Sequence, residues 1–340
     1  MLKKQIFNSL KKVLPFIGLL LLIIYIYLQL NFSEVLIAFQ RIHPLYILIA
    51  GLLTLPMILI RTTAWQIILK EQDISIGFYS SIKIFLIGFF YGSFTPGFYG
   101  QLMRIPYLKE KTSEPYGKLF INTFIETTLR TITLFSMILI GPLILAITLY
   151  NALEHLFAIK EVYYVLLILY ITFIGILLYF SKKHRGEKIF HHLITLLIPR
   201  QLKPLIQQFM ATFYNDLPKI KSLAIPFLLS IITWVVVFFQ EYLFVIALGL
   251  DGTIPFLAFL FLYPIANVAG FIPITFAGVG IREIVAMEIF YTIFAVTKEE
   301  IAVFALMGFL ITDVLIGFLG FLFSLSETID TKQHLKNIKS

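Results

Sequence analysis

Residues 93–104 read SFTPGFYGQLMR, and this interruption of an otherwise apolar run decides how the chain folds. Pro96 lacks a backbone donor, and Gly97 and Gly100 permit positive φ. A helix entering the segment is therefore predicted to break there and leave free N–H and C=O groups. Such backbone is tolerated at membrane depth only where it is buried in protein or lines a polar cavity. A helix restarting near Gly100 would turn its positively polarised N-terminus into that cavity, the setting of a phosphate site. Thr95, Tyr99 and Gln101 add hydrogen-bonding groups, and Arg104 a full charge. An ordinary proline kink, with Arg104 reaching for the interface, fits this segment alone equally well.

Composition puts the break in a membrane. Hydrophobic residues make up 59% of the 340 and charged ones 14%, where soluble domains carry about a quarter charged residues. The chain reads as an all-α polytopic membrane protein, a single transmembrane domain over residues 1–340. Runs long enough to cross about 30 Å of hydrocarbon lie at 14–30, 45–69, 119–149, 161–180, 223–248 and 301–325, giving six expected crossings. The first follows four lysines and lacks a small-residue cleavage site after Leu30, so it reads as a signal anchor. Two further apolar stretches, 78–103 and 254–297, are interrupted by Pro and Gly and read as re-entrant or hairpin segments. There is no cysteine, and no pair among the six histidines has zinc-helix spacing. Neither a metal nor a cofactor is expected.

Charge placement orients the chain. Of 27 Lys and Arg, 21 fall in loops assigned to the cytoplasm; Arg41, Lys160 and Lys298 fall outside; Arg61, Arg130 and Arg282 lie within apolar sequence. Cytoplasmic N- and C-termini satisfy the positive-inside rule at every loop. The interrupted stretches then enter from opposite faces, one within residues 45–150 and the other within 223–325. That layout is an inverted repeat of the kind that brings broken helices together near the midplane. The basic segment 181–222 reads as cytoplasmic and interfacial, held on anionic headgroups. Nucleic acid is not an expected partner.

Embedded charges are the candidate site. Residues 276–283, FAGVGIRE, form the second break, with Gly278 and Gly280 ahead of Arg282 and Glu283. An arginine in hydrocarbon costs about 2.5 kcal/mol or more and needs a partner or a ligand. Adjacent residues face different ways on a helix, which makes Glu283 a poor partner and favours a distant carboxylate or an anion. Glu126 precedes Arg130 by four residues, the order for an intrahelical ion pair. Arg61, Glu241 and Asp313 have no partner within a turn, so Arg61 and, from the opposite half, Arg282 are assigned to the anion and the acids to orientation or proton coupling.

TPGFYGQLMR followed far downstream by FAGVGIRE resembles the flippase-like transmembrane domain of lysylphosphatidylglycerol synthases, as a stand-alone member without the synthase domain. Thr95, Pro96, Gly97, Gly100 and Arg104 match its first pattern; Gly278, Gly280, Arg282 and Glu283 match its second. The chain departs at Gln101, Phe276 and Ala277, where the family often has Glu, Pro and Gly. The resemblance implies a translocase-type fold in the cytoplasmic membrane of a prokaryote. The expected function is binding and flipping of an anionic phospholipid or polyprenyl-phosphate-linked headgroup, without catalysis. The alternatives are an integral membrane enzyme, an accessory subunit beside a partner transferase, or a passive structural subunit.

Overall fold

The computed structural model describes residues 23–25, 27–93, 95, 99–148, 160–180, 216–272 and 278–326. Among them every regular element is helical. Local chemistry sets several starts. The Asn31 side chain accepts from the Ser33 N–H at 3.0 Å to open α1 (Phe32–Gln40). His43 caps α2 (Pro44–Glu71), with Pro44 at its first position, where no N–H is needed. After α3 (Phe78–Ser93) the chain breaks, resumes as a 3₁₀ turn (Tyr99–Met103) and continues into α4 (Arg104–Lys111). Then come α5 (Tyr116–Thr148) and α6 (Lys160–Phe180).

A 3₁₀ turn (Ile220–Leu223) leads into α7 (Ala224–Ala247), followed by α8 (Phe256–Ala269), the second break and α9 (Ile281–Ile293). Thr297 and Glu300 exchange side-chain to backbone hydrogen bonds at the start of α10 (Lys298–Phe309). A π-helical turn (Leu310–Leu315) joins α10 to α11 (Ile316–Ser326).

Four helices among the described residues are long and apolar enough to cross a membrane: Pro44–Glu71, Tyr116–Gly141, Ile220–Ala247 and Lys298–Ser326. They coincide with four of the six expected crossings. The stretch expected at 161–180 is helical as α6. Residues 14–22 of the first expected crossing, and 181–215 of the basic segment, lie outside the described residues. Both interrupted stretches are broken where the sequence places the breaks, although the first resumes as helix only at Arg104, beyond the expected end at 103.

Packing draws the long helices against the broken ones. The most extensive contact is α2 against α7; α11 lies along α3, and α5 along α8. Glycine allows the close approaches. A Cβ on Gly320 of α11 would sit 2.0 Å from the Leu86 carbonyl oxygen of α3, and one on Gly141 of α5 would sit 2.7 Å from Phe261 of α8. Small residues at such crossings let helices gain dispersion contacts that lipid cannot supply. One core is aromatic, with Phe259 stacked on Tyr263 at 4.7 Å between centroids and Phe290 and Phe304 set around them. A second core gathers Trp65, Phe85 and Leu108 from α2, α3 and α4.

Replacing Gly320 by Leu forces α11 off α3, with an overpacking cost of about 1–3 kcal/mol. Gly175 of α6 has nothing within 4 Å of its Cβ position and is the control. Thermal unfolding in detergent is expected to fall by several degrees for Gly320→Leu and to stay unchanged for Gly175→Leu.

Candidate functional site

Each break delivers an arginine into the protein interior. At the first, Gly100 is required by space: its Cβ would lie 2.0 Å from the Tyr91 carbonyl oxygen. It is not among the glycines with positive φ, so that part of the expectation is corrected. Pro96 and Gly97 lie outside the described residues. The Gly100 N–H donates to Thr95 Oγ1 at 2.6 Å, so it is capped by protein and not open to an anion.

The 3₁₀ turn then presents Gln101 and Arg104 together. Arg104 is fully buried, its stem passing where a Cβ on Gly88 would lie 2.3 Å from its Cγ. Its guanidinium donates from Nη1 to Glu126 at 2.8 Å and from Nη2 to Gln101 Oε1 at 3.0 Å, flanked by the rings of Phe85 and Trp65.

The second break does use the left-handed region, with φ of +80° at Gly278 and +97° at Gly280. Gly278 also abuts Gly270, where a Cβ would come within 2.7 Å of the Gly270 Cα. The Gly280 N–H donates to Glu283 Oε2 at 2.6 Å, so here too a side chain occupies a helix-start donor. Arg282 donates from Nε and Nη2 to Glu283 Oε1, at 3.1 and 3.0 Å, and from Nη1 to Asp313 at 2.9 Å. The distant carboxylate was expected. Glu283 as a partner was not, and the reason is local: capping Gly280 folds its carboxylate back over the helix start, within reach of its neighbour's long side chain.

Glu126 and Arg130 are not paired, against the i,i+4 expectation. Glu126 is claimed by Arg104, a fully desolvated fork delivered from another helix. Among the described residues Arg130 has no ion pair; it is half-buried, 5.9 Å from the Trp234 ring centre. Arg61 is also undercompensated. It is 7% exposed, its Nε lies 3.9 Å from Glu126 Oε1, beyond hydrogen-bonding distance, and its Nε and Nη2 have no partner. The rings of Phe85 and Phe89, at 4.8 and 5.7 Å, lie near its charge.

Arg61, Arg130, Glu241, Asn267, Arg282 and Asp313 line one cleft of about 590 Å³, open mouth included, with walls from α2, α3, α5, α7, α8, α9 and the π turn. A smaller, narrow cleft shares Arg61 and Arg130 and extends to Glu126, Ser230 and Thr233. Arg61 and Arg130, neither of them hydrogen-bonded to a carboxylate, thus border both spaces. Glu241, 1% exposed, has Oε2 without a partner. Its Oε1 is 3.4 Å from Thr312 Oγ1, but that hydroxyl is closer to the Gly308 carbonyl (3.0 Å) and to Asp313 (3.1 Å). With one proton it cannot serve all three.

The sequence reading named every buried charge in the cleft but missed Asn267, whose Nδ2 is unpartnered. It also missed Gly88 and Gly308, which make room for Arg104 and Glu241. A lone amide inside the apolar run LYPIANVAG was the available signal for Asn267. Among the described residues no group of three His, Cys, Asp or Glu is arranged to hold a metal ion.

Comparison with known sequences follows the same residues. The family model described as Lysylphosphatidylglycerol synthase TM region matches residues 13–320, and the chain belongs to that family. It is therefore a helical membrane domain of a family associated with lipid handling. No curated protein matches it.

The pairing separates scaffold from site. Removing Arg104 or Arg282 strands buried carboxylates, at a cost of about 3–5 kcal/mol. Arg104→Ala and Arg282→Ala are expected to lower the yield of folded protein and the unfolding temperature. Arg61→Gln and Arg130→Gln should leave both close to wild type.

Proposed function

We propose that this member of the lysylphosphatidylglycerol synthase TM region family binds the phosphate of a membrane lipid, an anionic phospholipid or polyprenyl-phosphate carrier, between Arg61 and Arg130. The protein then moves the headgroup across the cytoplasmic membrane. One observation carries the reading: two guanidiniums border a cleft inside a membrane domain, neither hydrogen-bonded to a carboxylate. Arg61 and Arg104 share the single carboxylate of Glu126, because the position where the family often has Glu is Gln101, which accepts a hydrogen bond without adding charge. An uncompensated arginine at this depth is costly. A phosphate matches its planar fork and removes the imbalance.

The packing supports two inverted halves around the cleft. Exchange α2 with α7, α3 with α8, α4 with α9, and α5 with α10 and α11, and the main contacts map onto one another: α11 on α3 answers α5 on α8. Likewise Arg104 with Glu126 answers Arg282 with Asp313, each an arginine of a restarted helix reaching a carboxylate on the following long helix. In the topology set by loop charge, both termini are cytoplasmic. The smaller cleft then lies on the cytoplasmic side of Arg61 and Arg130, since Pro226 and Ser230 in its wall are at the inner end of α7. The two clefts share both cations, which places the arginines between them. The groups facing a phosphate there, two arginines without a carboxylate hydrogen bond, a glutamate and an asparagine, form a recognition set, so the protein is read as a carrier and not an enzyme.

Two measurements test this. In liposomes, wild type should scramble headgroup-labelled anionic lipids faster than protein-free vesicles. Arg61→Gln or Arg130→Gln should slow transfer about tenfold, the equivalent of one lost charge-assisted contact of about 1.4 kcal/mol. Wild-type rates at the vesicle background, or variants as fast as wild type, would refute it. For topology, single cysteines in this cysteine-free chain should be labelled from outside at Asp251 and Lys298 and only from inside at Lys109.

A further inference from the structure

We propose that Glu241, Thr312 and Asp313 form a binding site for a dehydrated monovalent cation, sodium by size, at the π-helical turn. The site stands on its own oxygens and not on the reading of Arg61 and Arg130. Thr312 Oγ1 lies 3.0 Å from the Gly308 carbonyl, 3.1 Å from Asp313 Oδ2 and 3.4 Å from Glu241 Oε1. Its one proton can serve one of the three, so oxygens face each other with no hydrogen between them. The other carboxylate oxygen, Glu241 Oε2, has no partner, and Glu241 is 1% exposed. Gly308 opens the space for that side chain, since a Cβ there would come 2.8 Å from Glu241 Cγ. Glu241, Thr312 and Asp313 all line the large cleft, which gives an ion a way in.

Charge and size set the class of ion. The guanidinium bonded to this turn is that of Arg282, whose three nitrogens donate to Glu283 and Asp313 and none to Glu241. Three mutually interacting carboxylates around one bonded guanidinium leave one formal negative charge at membrane depth. That suits a monovalent cation and is too little for a divalent one. A proton on Glu241 would cancel the same charge without using the oxygens. On Oε1 it would point across 3.4 Å to Thr312, beyond the usual O–H···O range of about 2.5–3.0 Å, and on Oε2 it would have no acceptor. Oxygens 3.0–3.4 Å apart instead match the edges of a shell whose ligands lie about 2.4 Å from the ion, as around calcium, which has nearly sodium's radius. Potassium needs a wider shell. The π-helical turn carries both Thr312 and Asp313, and a π turn re-aims side chains by shifting the register of its helix. A phosphate at Arg61 and Arg130 and a cation at Glu241 would attract across one cleft, so on the reading above each tightens the other.

The test is thermal unfolding of purified protein in detergent, without added lipid, as sodium chloride replaces choline chloride at constant ionic strength, with binding of radioactive sodium measured beside it. Wild type should gain stability along a saturating curve, as a ligand of the folded state requires, with potassium about tenfold weaker. Glu241→Gln, which keeps the shape and removes the charge, should abolish the response. Thr312→Val, which keeps the charge and the volume, should weaken it about tenfold, and the wild-type ion series needs no folded variant at all. Arg61→Gln should not weaken sodium binding, so failure of the ion site and failure of the lipid-phosphate reading are separately visible. Identical unfolding in sodium and choline with no sodium bound would overturn the site. So would a sodium response untouched by both Glu241→Gln and Thr312→Val, the mark of a structural carboxylate. A stability that follows pH and not sodium, and loses that dependence in Glu241→Gln, would assign the carboxylate to a proton and overturn the sodium site.

Discussion

A guanidinium cannot stay charged inside a membrane domain without compensation, and the architecture follows from how four arginines meet that demand. Arg104 and Arg282 meet it internally, each held by an acid on a following long helix and by a second acceptor close in sequence. Those contacts need side chains to start from inside the protein, hence the broken helices. Broken helices in turn need glycine where chains touch, and protein groups to cap the exposed N–H donors. Thr95 and Glu283 supply the caps. Arg61 and Arg130 are left over, and what they border is a cleft.

This shifts where an anion is recognised. Free helix N-termini at the breaks are the obvious phosphate site from sequence, but at Gly100 and Gly280 the donors are already taken. In the proposed function, recognition passes to side chains on the long helices, which lie beside the breaks and not in them. The π-helical turn at 310–315 contributes by carrying Thr312 and Asp313 into the same space. Such insertions re-aim side chains without ending the helix.

Much of the fold was legible in the sequence because membrane helices obey a length and polarity rule that one chain reveals. The crossing expected at 45–69 is the helix Pro44–Glu71, and that expected at 301–325 lies within Lys298–Ser326. The breaks were legible for the same reason, since proline and glycine act on their own backbone. Pairing was not. Spacing of four residues favours Glu126 with Arg130 only if nothing else arrives, and Arg104 arrives from a different helix. Spacing of one disfavours Arg282 with Glu283 only if both side chains stand off the helix, and Glu283 folds back to cap Gly280. Tertiary competition of this kind leaves no periodic trace, so the sequence named the charges but not which of them were spare.

The central claim is that Arg61 and Arg130 hold a lipid phosphate. Its most direct test is the dipolar coupling between ¹⁵N-labelled arginine guanidinium groups and lipid ³¹P in bilayers, compared between wild type and the Arg61→Gln, Arg130→Gln double variant. The account predicts a close-contact signal that survives washing with detergent-free buffer and is lost in the double variant. An identical signal in both proteins would place the phosphates at interfacial arginines and contradict the account.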